Sequence, residues 1–155
     1  MTPSESTSRV LNSGDIRLLT EIGFLACGAG NTNAASTIFD GLRSACKDSS
    51  SSLIGLAMSH LESGEADAAV TLLRSHYKGI KPDDHEYKVF YALCLLASGF
   101  RNEAERLLRD LLKLSDAGCP SHRLGAALLK NYLTDSRVVH VPEQALSQRT
   151  SKHLA

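Results

Sequence analysis

GNTNAASTIF at positions 30–39 recurs as GEADAAVTLL at 64–73 and as GFRNEAERLL at 99–108. Each copy opens on a glycine, carries an alanine five residues on (Ala35, Ala69, Ala104) and a large apolar residue four further (Phe39, Leu73, Leu108). Gly30, Gly64 and Gly99 stand 34 and 35 residues apart. A turn glycine and a small residue at this period are what a stack of helix-turn-helix units needs, because the glycine closes the turn and the alanine lets two helices approach.

Working outward, each glycine is preceded and followed by an apolar stripe at helical spacing. Ile16, Leu18, Leu19, Ile22, Phe24, Leu25 and Ala26 predict a first helix over 16–28, with Asp15 as N-cap. Asn31 or Asn33 caps the next, which carries Ala34, Ala35, Ile38, Phe39 and Leu42. The second unit runs from Leu53 to Leu61, turns at Gly64 and continues through Leu73. Pro82 and Asp83 or Asp84 open the third, with Val89 to Leu96 before Gly99 and Ala104 to Leu112 after it. Cys119-Pro120-Ser121 stops the pattern and starts one more helix, Leu124 to Leu133, read as the cap of the stack. The fold class expected is all-α: three helical hairpins plus a C-terminal capping helix in a right-handed α-solenoid. Residues 1–14 read as a flexible leader, 15–133 as the helical domain and 134–155 as a disordered tail.

The chain has 155 residues, 43% of them apolar and 22% charged, with seventeen basic residues against seventeen acidic ones. That balance supplies no field toward nucleic acid or an anionic membrane. The serine-rich N-terminus lacks the apolar core of a signal peptide, and no apolar run approaches the roughly 18 residues of a membrane span. A cytoplasmic protein without membrane insertion is expected. Cys27, Cys46, Cys94 and Cys119 form no Cys-x-x-Cys pair, so no metal or redox site is expected. His60 and His85 lack a ligand partner at helical spacing. No Gly-rich phosphate loop, His-Glu-x-x-His or Gly-x-Ser-x-Gly is present, and Glu21, Glu62 and Glu86 read as solvated charges. No catalytic residue and no cofactor are expected, so the chain reads as a binding protein rather than an enzyme.

The 34-residue period, the small residues Gly23, Ala57 and Ala92 seven positions before each turn glycine, the alanines after it, and Phe39, Leu73 and Leu108 resemble the tetratricopeptide repeat over residues 16–117. Lys88, His60, His76 and the displaced Pro82 depart from its pattern. The resemblance implies a concave face lined by the first helix of each hairpin. Counting repeats from residues 16, 50 and 85, positions four, seven, eight and eleven pack within the stack, and positions two, five, nine and twelve face the groove. The groove set is Arg17, Thr20, Phe24 and Cys27; Ser51, Ile54, Met58 and Leu61; Glu86, Val89, Leu93 and Leu96. Eight of these twelve are apolar, whereas a face that met only water is normally polar. The competing reading is that the superhelix, or the leader folded back, buries them.

An amphipathic helix, placing i, i+3, i+4 and i+7 side chains, is the ligand such a groove suits. Burying its apolar lining contributes roughly 10 kcal/mol before ordering costs. A carboxylate clamp needs inward Lys, Arg and Asn where Thr20 and Phe24 stand. Leu18 to Ala26 with the Gly28-Ala29-Gly30-Asn31 turn, and Tyr91 to Leu95 before Gly99, further resemble the needle-subunit chaperones of type III secretion systems, the YscG/PscG type, over residues 16–133. That resemblance implies a cytoplasmic chaperone whose groove (Phe24, Cys27, Ile54, Met58, Leu61, Val89, Leu93, Leu96) sequesters the amphipathic helix of a secreted needle subunit and prevents premature polymerisation. It also implies a small helical co-chaperone at the outer surface of residues 16–45. The alternatives are a chaperone or scaffold for another secreted protein such as a translocator, and a structural secretion component outside the cytoplasm.

Overall fold

The computed structural model describes residues 11–46 and 49–134. Of the leader expected over 1–14, residues 1–10 lie outside the described residues, as do residues 135–155 of the tail expected over 134–155; Asn12 to Gly14 cap and open the first helix and so are not part of a flexible leader. Those described form an all-α fold without strands: α1 Ser13–Gly28, α2 Thr32–Ala45, α3 Ser50–Glu62, α4 Ala66–His76, α5 His85–Ala97, α6 Arg101–Leu114 and α7 Pro120–Leu128. A short 3-10 turn, Tyr77–Gly79, ends α4, and α7 runs into a π-helical turn, Leu129–Thr134.

Local chemistry sets the helix ends. α1 starts earlier than the spacing predicts, because Asn12 and not Asp15 is the N-cap. Asn12 Oδ1 accepts from the Asp15 N–H at 2.9 Å, and the Asp15 carboxylate accepts from the Asn12 N–H at 3.2 Å, a closed capping box. Asn31 caps α2 and Asp84 caps α5 by one such bond each, their side chains accepting from the Ala34 and Tyr87 N–H groups at 3.2 and 2.9 Å. Within Cys119-Pro120-Ser121 the cap of α7 is Cys119, its Sγ accepting from the His122 N–H at 3.3 Å, with Pro120 at the first helical position.

The three turns are one structure repeated. Gly30, Gly64 and Gly99 have φ of 76°, 75° and 82°, the left-handed region that a side chain disfavours. The residue after each glycine returns a bond to the carbonyl five back: Asn31 N–H to Ala26, Glu65 N–H to His60, and Phe100 N–H to Leu95, at 2.8–2.9 Å. Each glycine N–H meets the carbonyl three back, which completes a Schellman C-cap.

The helices pack in chain order, α1 on α2, α2 on α3, and so on to α6 on α7. Alternate helices also touch: α1 lies against α3, α3 against α5, and α5 against α7. Among the described residues, α2, α4 and α6 make no comparable contact with one another. Ala35, Ala69, Ala104, Phe39, Leu73 and Leu108 are all fully enclosed, so the repeated small and large positions build the core. At Phe39 the fit is tightest. Its ring is held between two glycines, Gly23 of α1 and Gly55 of α3; a Cβ on Gly23 would lie 2.7 Å from the ring, and one on Gly55 would overlap it. α5 is fixed to α4 by polar bonds, with the Tyr87 hydroxyl donating to the Leu73 carbonyl at 2.6 Å. Arg74 donates to Tyr91 Oη and to Glu103 at 3.2 and 2.8 Å while lying over the Phe100 ring.

Candidate partner-binding face

The residues read as groove-facing come from α1, α3 and α5, the helices that lie side by side. The structure divides them. Cys27, Ile54 and Val89 are 4%, 1% and 1% exposed, which corrects their placement in a groove. Cys27 packs with Ala35 and Phe39, Ile54 with Val70 and Leu73, and Val89 with Leu108 and Leu111. Each is held by the second helix of a hairpin and is closed to a ligand. Burial also raises the Cys27 thiol pKa and pushes that of Cys94 up to about 12, so both stay protonated as packing groups at neutral pH.

Phe24, Met58, Leu61, Leu93 and Leu96 remain half-buried. Three of them, Phe24, Met58 and Leu96, lie along the seams of the core, while Leu61 packs against the Leu73 cluster alone and Leu93 against the Leu108 cluster alone. Phe24 and Met58 each touch both the Phe39 cluster and the Leu73 cluster, and Leu96 joins the latter to the Leu108 cluster. Phe24 meets Phe39 edge-on with ring centroids 5.0 Å apart. The apolar ladder is therefore Phe24, Met58 and Leu93, one from each helix, with Leu61 and Leu96 a turn further along.

Its polar surroundings are simple. Thr20 Oγ1 donates to the Ile16 carbonyl at 2.8 Å, so its hydroxyl is already satisfied. Arg17 and Glu21 pair along α1 at 2.9 Å, and Glu62 and Glu86 are exposed. His60, without a partner at helical spacing, reaches across the Gly64 turn to Glu65 at 2.7 Å. Among the described residues no three His, Cys, Asp or Glu side chains are grouped to hold a metal ion, and no helix is long and apolar enough to cross a membrane.

A second apolar surface was not foreseen. Ile22, expected within the stack, is 42% exposed, and Leu18 and Leu25 on the same side of α1 are 57% and 73% exposed. Periodicity placed all three on one stripe, but it carries no information on whether another helix covers that stripe. Neither a protein-family model nor a curated protein matches the chain in sequence.

Proposed function

We propose that this protein is a helix-binding chaperone built as a stack of tetratricopeptide-like hairpins, and that the half-buried ladder Phe24–Met58–Leu93 receives the amphipathic helix of a secreted subunit. The packing supports a curved stack. α1, α3, α5 and α7 touch their alternate neighbours while α2, α4 and α6 do not comparably, so the first layer is the more compressed and lies on the inside of the curve. The observation that carries the reading is that this inner layer keeps five large apolar side chains partly open, where a solvated helix face carries polar ones.

A needle subunit of a type III secretion system is the partner that the resemblance of residues 16–133 implies. Such a subunit polymerises through apolar helix surface, and covering that surface in the cytoplasm keeps it monomeric. A small helical co-chaperone on the first hairpin belongs to the same proposal. The loss of Cys27, Ile54 and Val89 from the lining reduces the apolar gain to roughly 5 kcal/mol before ordering costs, a reversible complex rather than a permanent one.

Co-expression with small secreted helical subunits, followed by sizing of the complex, tests the proposal. Met58→Glu and Leu93→Glu are expected to keep the helical circular dichroism spectrum and to lose the complex. Binding by both variants at wild-type strength refutes the groove assignment.

A further inference from the structure

We infer that α7 is a fourth wall of the groove, and that Arg123 and Lys130 on its open flank select an amphipathic partner helix by an acidic end, an inference that rests on the helix-binding reading above. α7 continues the register of the repeats. The count that starts them at 16, 50 and 85 starts a fourth at 120, the first residue of α7. The packing agrees. At position six α3 has Gly55, where a Cβ would overlap the Phe39 ring of α2, and α7 has Gly125, where one would lie 3.1 Å from Leu111 Cδ2 and 3.6 Å from Leu108 Cδ2 of α6. Like α3 and α5, α7 lies against the helix before it and against the first helix of the preceding hairpin. Its position five differs for a physical reason. Ile54 and Val89 are closed by α4 and α6 at 1% exposure, whereas Leu124 is 39% exposed, since no second helix follows α7 among the described residues. Leu128, at the position that Phe24, Met58 and Leu93 hold in the other helices, belongs to the Leu108 cluster against which Leu93 packs. Leu124 stands one turn before it, so the apolar ladder passes from Leu93 over Leu128 to Leu124.

The charge along the ladder is uneven. Residues 120–134 include no Asp or Glu. Arg123 and Lys130 stand at positions four and eleven, which in the other first helices turn toward the hairpin's own second helix; here both are exposed, with no ion pair among the described residues. Asp116, the acid nearest before them, accepts from the Gly118 N–H at 3.2 Å. At α1 Arg17 and Glu21 neutralise each other, and at α3 and α5 the exposed carboxylates of Glu62 and Glu86 flank the ladder. The excess of positive charge therefore lies at the α7 end.

Charge and dimensions together define the occupant. Packed helix axes lie about 8–10 Å apart, so the three intervals from α1 to α7 span about 27 Å, the length of a helix of about 18 residues. An apolar side chain about every six residues meets each wall in turn. Asp or Glu side chains in the turn that lies over α7 meet Arg123 and Lys130, while the same carboxylates over α3 or α5 would face Glu62 or Glu86. Complementarity of this kind fixes which way round a partner lies and which partner is accepted more than it adds affinity.

Fluorescence anisotropy on the full chain tests it, with two labelled synthetic amphipathic peptides of about 18 residues as probes, alike except for glutamates in the last turn of one and lysines in the last turn of the other. The wild type is expected to prefer the acidic-ended peptide about tenfold in about 0.05 M salt, and less in about 0.5 M. Arg123→Glu combined with Lys130→Glu, both at exposed positions, is expected to keep the helical spectrum and to reverse the preference. Leu124→Ser is expected to weaken both peptides about threefold. Leu93→Glu, the groove variant, is expected to lose both. Equal affinities for the two peptides, or a preference that the double reversal leaves in place, overturn the inference, while loss of both peptides in Leu93→Glu still supports the groove. Binding of neither peptide by a chain that sediments as a dimer gives the face to a second copy, and by a monomer denies it a helical ligand; either result overturns the inference and the groove reading together.

Discussion

Gly55→Ala sets two opposed effects against each other inside α3. In an exposed helix interior, alanine for glycine stabilises by about 1 kcal/mol, since glycine has more backbone freedom to lose. At Gly55 the added Cβ would overlap the Phe39 ring. The ring cannot retreat, because it is fully enclosed, Gly23 of α1 lies on its other side, and Phe24 packs edge-on against it. Overpacking of a closed core costs about 1–3 kcal/mol, and confinement on two sides places this case at the upper end. The net expectation is a loss of about 2 kcal/mol. For a chain of this length that is a midpoint lowered by about 4–8 °C. Urea unfolding followed by far-ultraviolet circular dichroism measures it directly. The neighbouring repeats supply the compensating change: Leu73 and Leu108 stand where Phe39 does, and Ala57 and Ala92 stand where Gly23 does. Phe39→Leu should therefore cost less in the Gly55→Ala background than alone, with a coupling of at least about 1 kcal/mol. A Gly55→Ala variant as stable as the wild type, or more so, would refute the account of the ring slot.

Gly64→Ala should destabilise by about 1–2 kcal/mol without any steric contact, since its φ of 75° is the whole cost, and equilibrium unfolding will show it. Tyr87→Phe should lose about 1 kcal/mol, because it removes a buried hydroxyl donor from the Leu73 carbonyl. The Cys94 thiol, pushed from 9.0 to about 12 by burial, gives a pH dependence of definite sign. The unfolded chain releases that proton from about pH 9 while the folded chain retains it, so stability is unaffected below pH 9 and falls by up to about 1.4 kcal/mol per pH unit above it. Burial raises Tyr87 in the same direction, which extends the fall beyond pH 10. Urea midpoints at pH 7, 9 and 11 should show a smaller drop in Cys94→Ala. Arg74→Ala, removing bonds to Tyr91 and Glu103 and the contact with Phe100, should cost only about 1 kcal/mol, since Arg74 and Glu103 are 47% and 38% exposed; unfolding in low and high salt will separate the charge from the stacking.

What could be read from the chain alone is what short-range chemistry controls. Gly30, Gly64 and Gly99 are legible because a Schellman turn needs φ > 0 whatever surrounds it, and Ala35, Ala69 and Ala104 because close helix approach needs a small side chain. Helix order and the enclosed positions Phe39, Leu73 and Leu108 follow from the same period. The N-cap of α1 was misplaced by three residues because Asn12 and Asp15 are both good caps, and in a capping box both of them bond. The division between core and open face was not legible. Positions five and twelve, which include Ile54, Val89 and Cys27, lie at the edge of the helical stripe. Whether such a residue opens to a ligand or closes against the next helix depends on how near and at what angle that helix lies, which no single-helix periodicity encodes. For the same reason Leu18, Ile22 and Leu25 look in sequence like the residues that α3 and α5 bury. Only the tertiary structure, by leaving no preceding hairpin against α1 among the described residues, turns them into surface.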